Sequence, residues 1–230
     1  MKPTRFHWKR VVGEATLIVA TVFLAISLES IWQEHSDVAE ARVALAQILR
    51  ELRADREFSE LVLAEQEMVG DLHSDLLNWF ADPESLPADL VHEALRKLNN
   101  HGLTMWPRRA AWTTMVAAGQ LRLLGDSELV ARLGDYYEHR QQRLSHNGQA
   151  YDAAKWSFDS HLVPELWDSQ RRQLLTDDPV HIVQFRNQIV HLKIWNQWYL
   201  AYMADDYRKD LSALIYEVEE YLLAHGNAIE

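Results

Sequence analysis

One stretch limits what the rest of this chain can do. Residues 11–31 read VVGEATLIVATVFLAISLESI, with only Glu14 and Glu29 charged. As a helix rising about 1.5 Å per residue, the run spans roughly 30 Å, the thickness of a bilayer's hydrocarbon layer. Trp8 precedes it and Trp32 follows it. Indole rings favour the membrane–water interface, where an apolar face and an N–H donor are both accommodated, so these two tryptophans are expected interface anchors. The basic residues Lys2, Arg5, Lys9 and Arg10 lie on the N-terminal side, and Glu29, Glu34, Asp37 and Glu40 lie on the C-terminal side. The positive-inside rule then predicts residues 1–10 as a cytoplasmic tail, 11–31 as a transmembrane helix, and 32–230 as a periplasmic domain held at a bacterial inner membrane.

Two other readings compete. Ala25-Ile26-Ser27 offers the small residues at which a signal peptide is cleaved, but Glu14 would fall inside the apolar region and the run continues to Ile31. A buried core helix would not need flanking tryptophans or so lopsided a charge. Glu14 is costly in lipid and calls for a partner, either Arg10 one turn earlier or another copy of the helix. On a helical projection Gly13, Glu14, Thr16, Ala20, Thr21, Ala25 and Ser27 share one half with Leu17 and Leu24, opposite Ile18, Val19, Val22 and Ile26. Small and polar residues facing bulky ones are how helices pack in lipid, so Gly13, Glu14, Thr16, Ala20 and Thr21 are membrane-packing candidates, through which the chain would self-associate.

The net charge of −11 is the sum of +3 on residues 1–28 and −14 on the remainder. Such a body repels a phosphate backbone, and nucleic acid is not an expected partner. With no cysteine, thiolate catalysis, disulfides and cysteine metal sites are excluded. Eight glycines and six prolines in 230 residues leave long stretches without a breaker, which favours helix. None occurs between Gly13 and Gly70, and Val38, Ala41, Leu45, Ile48 and Leu52 follow the 3-4 spacing of an apolar seam, with Phe58, Leu61, Met68, Leu72 and Leu76 resuming it. Short helices are expected from about Pro87 to Leu98, from near Pro107, from Asp126 or Ser127 to about Ser145, and from Gln149 onward, with His146-Asn147-Gly148 as a turn. Asp178-Pro179 starts a last helix that can run to Gly226, about 70 Å. The predicted fold is all-α: the N-terminal span followed by an elongated antiparallel bundle, with no strands.

Two segments, KRVVGEATLIVATVFLAISLESIWQE and AAWTTMVAAGQLRLLGDSELVARLGDYY, resemble an uncharacterised family of bacterial single-span membrane proteins, a domain of unknown function. The matching positions are Gly13, Glu14, Trp32, Trp112, Gly119, Leu129, Tyr136 and Tyr137. The resemblance implies membrane anchorage and a helical extracytoplasmic body, and it implies no chemistry.

Catalytic patterns are missing. There is no HExxH, GxSxG or GxxxxGK[ST], and the eleven histidines have no metal-ligand spacing. Asp159-Ser160-His161 has the letters of a relay, but successive side chains on a helix project 100° apart. No catalytic residue, cofactor or metal is expected. Trp112, Tyr136, Tyr137, Trp195 and Trp198 are candidates for aromatic core or for the lining of a pocket. The expectation is a membrane-anchored helical scaffold or interaction protein, with the bilayer and either its own copies or another protein as partners. The alternative is an extracytoplasmic ligand-sensing domain signalling through a membrane partner.

Overall fold

Helix α1 runs without a break over Trp8–Ala81, 74 residues and about 110 Å. The computed structural model describes residues 8–100 and 102–226, except for the side chains of 8–16, 18, 99 and 100. Among the described residues nothing packs on the first part of α1: from 19 to 35 every residue is exposed, and Ala41 is the first of them that is buried. From there a seam of buried side chains continues through Leu45, Ile48, Leu52, Asp55, Ser59, Val62, Gln66, Val69, His73 and Leu76. Its spacing is an unbroken alternation of three and four residues, the period of helices packed lengthwise. The expected continuation through Leu61 is therefore corrected: Leu61 is 61% exposed, because polar residues occupy the seam positions that an apolar pattern would have marked.

The final helix answers α1 from the other direction. Helix α7, Pro179–Ala201, a π turn, Tyr202–Tyr207, and helix α8, Arg208–Ala224, form one rod. Asp178 caps its start, its carboxylate accepting the N–H of Val180 with Pro179 in the first turn. Four contacts fix the antiparallel register: Asn196 on Gln66, Arg208 on Glu60, Arg53 on Glu219, and the carbonyl of His225, just past α8, on Arg42. Buried Tyr199, Met203, Tyr207 and Leu211 are spaced four apart throughout. Such spacing would drift off one face of an α-helix, and the wider π turn absorbs the drift.

Between the rods lie α2, Ala88–Asn100, and α3, Ala110–Ala117. A 3₁₀ turn, Gln120–Leu124, follows, and then α4, Ser127–Asp135, capped by Asp126. Next come a π turn, Tyr136–Arg140, helix α5, Gln141–Ser157, a second π turn, Phe158–Leu162, and α6, Val163–Leu166. The turn expected at His146-Asn147-Gly148 does not occur. Helix α5 passes straight through it, and Gly148 is buried against Thr104 and Tyr199. Its role is close approach rather than bending, with the segment 102–109 lying across the helix at that point. A two-residue ladder pairs β1, Trp167–Asp168, with β2, Gln173–Leu174. It is the only strand pairing among the described residues, so the fold is all-α but for this one small exception.

The core has two parts. One surrounds 41–63 of α1 with Trp112, Leu133, Tyr137, Leu214 and Val218; the other surrounds Val69 and Leu76 with Leu95, Phe158, Trp167 and Phe185. A Cβ on Gly148 would meet Thr104 Cβ at 3.4 Å and Tyr199 Cε2 at 3.8 Å, ordinary contact distances. Gly148→Ala should therefore be neutral or stabilising by up to about 1 kcal/mol through helix propensity. Gly148→Leu should lower the thermal midpoint by several degrees, since its extra atoms have nowhere to go. Equal midpoints for the two variants in a melting experiment would show that the site is not close-packed.

Candidate functional site

The projecting part of α1 is the most unusual surface of the molecule. Leu17, Phe23, Leu24 and Leu28 are 60–70% exposed, and Val19, Val22, Ile26 and Ile31 are more than half exposed. Apolar side chains emerge all round the helix rather than along one stripe, so no single partner face would cover them. Two hydroxyls in this stretch are satisfied by their own helix: Thr21 Oγ1 donates to Leu17 O and Ser27 Oγ to Phe23 O, both at 2.8 Å. Such back-bonding satisfies these two hydroxyls without water. Trp32 is 70% exposed where the run ends. Of the packing candidates, Ala20 and Thr21 are exposed. The side chains of Gly13, Glu14 and Thr16, and that of the anchor candidate Trp8, lie outside the described residues. Among the described residues no helix is long and apolar enough to cross a membrane; positions 11–16 and 18 of the expected run are among those whose side chains are not described.

The aromatic candidates separate into two groups. Trp112 stacks on Tyr137 at 4.9 Å, and Tyr136 packs edge-on against Tyr137 and shares a 2.9 Å hydrogen bond with Tyr207. All four rings are buried core. Burial pushes the hydroxyls of Tyr136, Tyr137 and Tyr207 well above the ordinary phenol range, so all remain protonated. Trp195 and Trp198 meet edge to face at 5.7 Å on the outer side of α7, with Trp198 65% exposed. Trp198 therefore stands on the surface rather than in the core, because α7 turns Tyr199 inward instead.

The interior holds a line of polar groups that an apolar search passes over. Asp55 Oδ2 accepts the backbone N–H of Arg108 at 2.9 Å, and its Oδ1 accepts Arg108 Nη1 at 2.7 Å. Glu51, one turn earlier, accepts the N–H of Ala111 at the start of α3, a favourable place for a carboxylate. Further along, Asn196 Nδ2 donates to both the backbone and side-chain oxygens of Gln66, whose own Nε2 donates to Leu103 O. Tyr199 Oη accepts the N–H of Met105 at 2.6 Å. Together these groups pin the extended segment 102–109 onto α1 and α7. Beyond them, burial pushes the His73 imidazole down to about 4, with Lys193 and Lys155 adding to the effect. His73 is therefore neutral near pH 7.

None of this converges on a reaction. Ser160 Oγ lies 3.1 Å from His161 Nδ1, closer than a helical projection suggests, but its proton goes to the Trp156 carbonyl. Among the described residues no cluster of three or more histidines and carboxylates could hold a metal. A cleft of about 520 Å³ lies between α4 and α8 with Asp126, Glu128, Glu217 and Glu220 at its rim, and Arg132 is bound to Glu217 across it. The chain matches no known protein family, no curated protein and no solved structure.

Burial pushes the Asp55 carboxyl up to about 6, against the pull of its bonds to Arg108. The folded state thus holds this proton to higher pH than the unfolded chain, whose aspartate titrates near 3.8. Its contribution to stability is complete below the unfolded value and is lost as pH rises through about 6. Asp55→Asn should flatten the pH dependence of the unfolding free energy between pH 4 and 7. Denaturant titrations with the same slope against pH in both proteins would rule this out.

Proposed function

We propose that the chain is a membrane-anchored helical scaffold or interaction protein, with residues 11–31 as the anchor and the bundle held on the periplasmic side. The observation that carries this reading is the projecting end of α1, a single helix with apolar side chains on every side and, among the described residues, no other part of the chain against it. A lone helix that sheds apolar surface in all directions is stable in hydrocarbon and unstable in water. The basic residues before it and the acidic residues after it give the direction. The resemblance to bacterial single-span proteins points the same way and rests on the sequence alone.

The rest of the molecule suits a scaffold. Two long helices are locked in register by buried hydrogen bonds, and Tyr136, Tyr199, Tyr207, Asp55 and Gln66 are held by structural partners. The alternative, a ligand-sensing domain, would use the cleft between α4 and α8, which is open and already spanned by the Arg132–Glu217 pair.

The full chain should stay in the membrane pellet after alkaline carbonate extraction. The double variant Phe23→Arg/Leu24→Arg should move into the supernatant, since each arginine at mid-span adds about 2.5–3.5 kcal/mol to insertion. A cysteine placed at exposed Ser85, far from the anchor, should be labelled by a membrane-impermeant maleimide in cells with a permeabilised outer membrane. Release of the unaltered chain by carbonate would refute the anchor; labelling of Ser85→Cys only after inner-membrane rupture would refute the orientation.

A further inference from the structure

Helix α7 is apolar on two opposite faces. The inner one, Phe185, Ile189, Leu192, Asn196 and Tyr199, packs into the body. The outer one carries Val180, Val183, Val190, Ile194 and Trp198, all exposed. Its spacing is that of a heptad seam: Val180, Asn187, Ile194 and Ala201 fall at a positions, and Val183, Val190 and Gln197 at d positions. Every one of these seven residues is exposed. The seam ends where the π turn begins at Tyr202, whose extra residue rotates the following face away.

From this we infer that the outer face of α7 is a parallel, two-fold interface with α7 of a second copy of this chain. Three observations choose that occupant. First, β-branched residues take four of the seven seam positions, with Val180 and Ile194 at the a positions on either side of Asn187; a lone a-position asparagine fixes register and copy number. Second, α7 contains no Asp or Glu, although the chain carries −11 overall, so this is where two acidic bodies meet without carboxylates opposed. In the parallel register Lys193 of one copy reaches Trp198 of the other, a cation over an indole face, and Arg186 lies beside His191. An antiparallel pairing would instead set Arg186 near Lys193. Third, α7 runs alongside α1. On the proposed anchoring, on which the parallel orientation rests, α7 stands along the membrane normal. Its stripe cannot lie on a lipid surface, and all copies point the same way.

The chain has no cysteine, so single cysteines can report the register in the full-length protein in native membranes. In a parallel pair each a position faces its own counterpart within disulfide range, Cα atoms about 4.4–6.8 Å apart. Asn187→Cys and Ile194→Cys should give a covalent dimer as the main species under mild oxidation. Gln188→Cys, exposed on the same helix but off the seam, and Ser212→Cys on α8 should give little. In detergent, Ile194→Glu should halve the mass measured by light scattering while keeping the parent's helical circular dichroism. Crosslinking at 187 and 194 no stronger than at 188 would overturn the inference. So would a disulfide formed only between co-expressed Val180→Cys and Ala201→Cys chains, since that marks an antiparallel pair. A chain that carbonate releases but that still crosslinks at 187 and 194 would sink the anchor while upholding the interface.

Discussion

The architecture depends on the packing of α1 against the α7–α8 rod, and that packing depends on a seam that is not wholly apolar. Leucine, isoleucine and valine supply most of the adhesion between the rods. Apolar side chains alone, however, permit sliding by one turn with little loss. Gln66 and Asn196 remove that freedom. A shift of one turn would strand two buried amides and the Leu103 carbonyl, each costing on the order of 1–3 kcal/mol. The same bonds hold the segment 102–109, so the register of the rods and the course of the connecting chain are fixed together.

Much of this was legible in the residues. The long helices followed from the absence of glycine and proline between 13 and 70 and from Asp178-Pro179, which caps the last helix as its chemistry suggests. The seam was readable through Leu52 and then lost, because Asp55, Ser59, Gln66 and His73 take core positions that a search for apolar spacing skips. Keeping the 3-4 rhythm regardless of polarity would have found them. Gly148 looked like a turn because local preference favours one at His-Asn-Gly, whereas the close approach of Thr104 is a tertiary fact that no local pattern carries. The π turns were foreshadowed only by consecutive spacings of four, such as Tyr199, Met203, Tyr207 and Leu211. The polar contacts of Asp55 could not be foreseen, since Arg108 lies 53 residues away.

The two apolar surfaces of the molecule are unlike, and the difference indicates what each suits. The projecting end of α1 is apolar round its whole circumference, matching a solvent that surrounds it. The outer face of α7 is apolar along one line with polar flanks, matching another helix. If both are used as proposed, neighbouring helices packed about 8–10 Å apart place the two anchors of a pair roughly 27 Å from each other, with both α7 helices between them. Contacts between anchors, through the face that includes Ala20 and Thr21, would then join one pair to the next rather than the two halves of a pair.

The continuity of α1 has a mechanical consequence. No glycine, proline or π turn separates its exposed apolar end from the body, so the joint between them has no hinge. From Ile31 to Ala81 is about 75 Å of helix. A change of about 10° in the lean of the exposed apolar end would sweep the far tip sideways by roughly 13 Å, and a twist about the helix axis would carry the whole bundle with it.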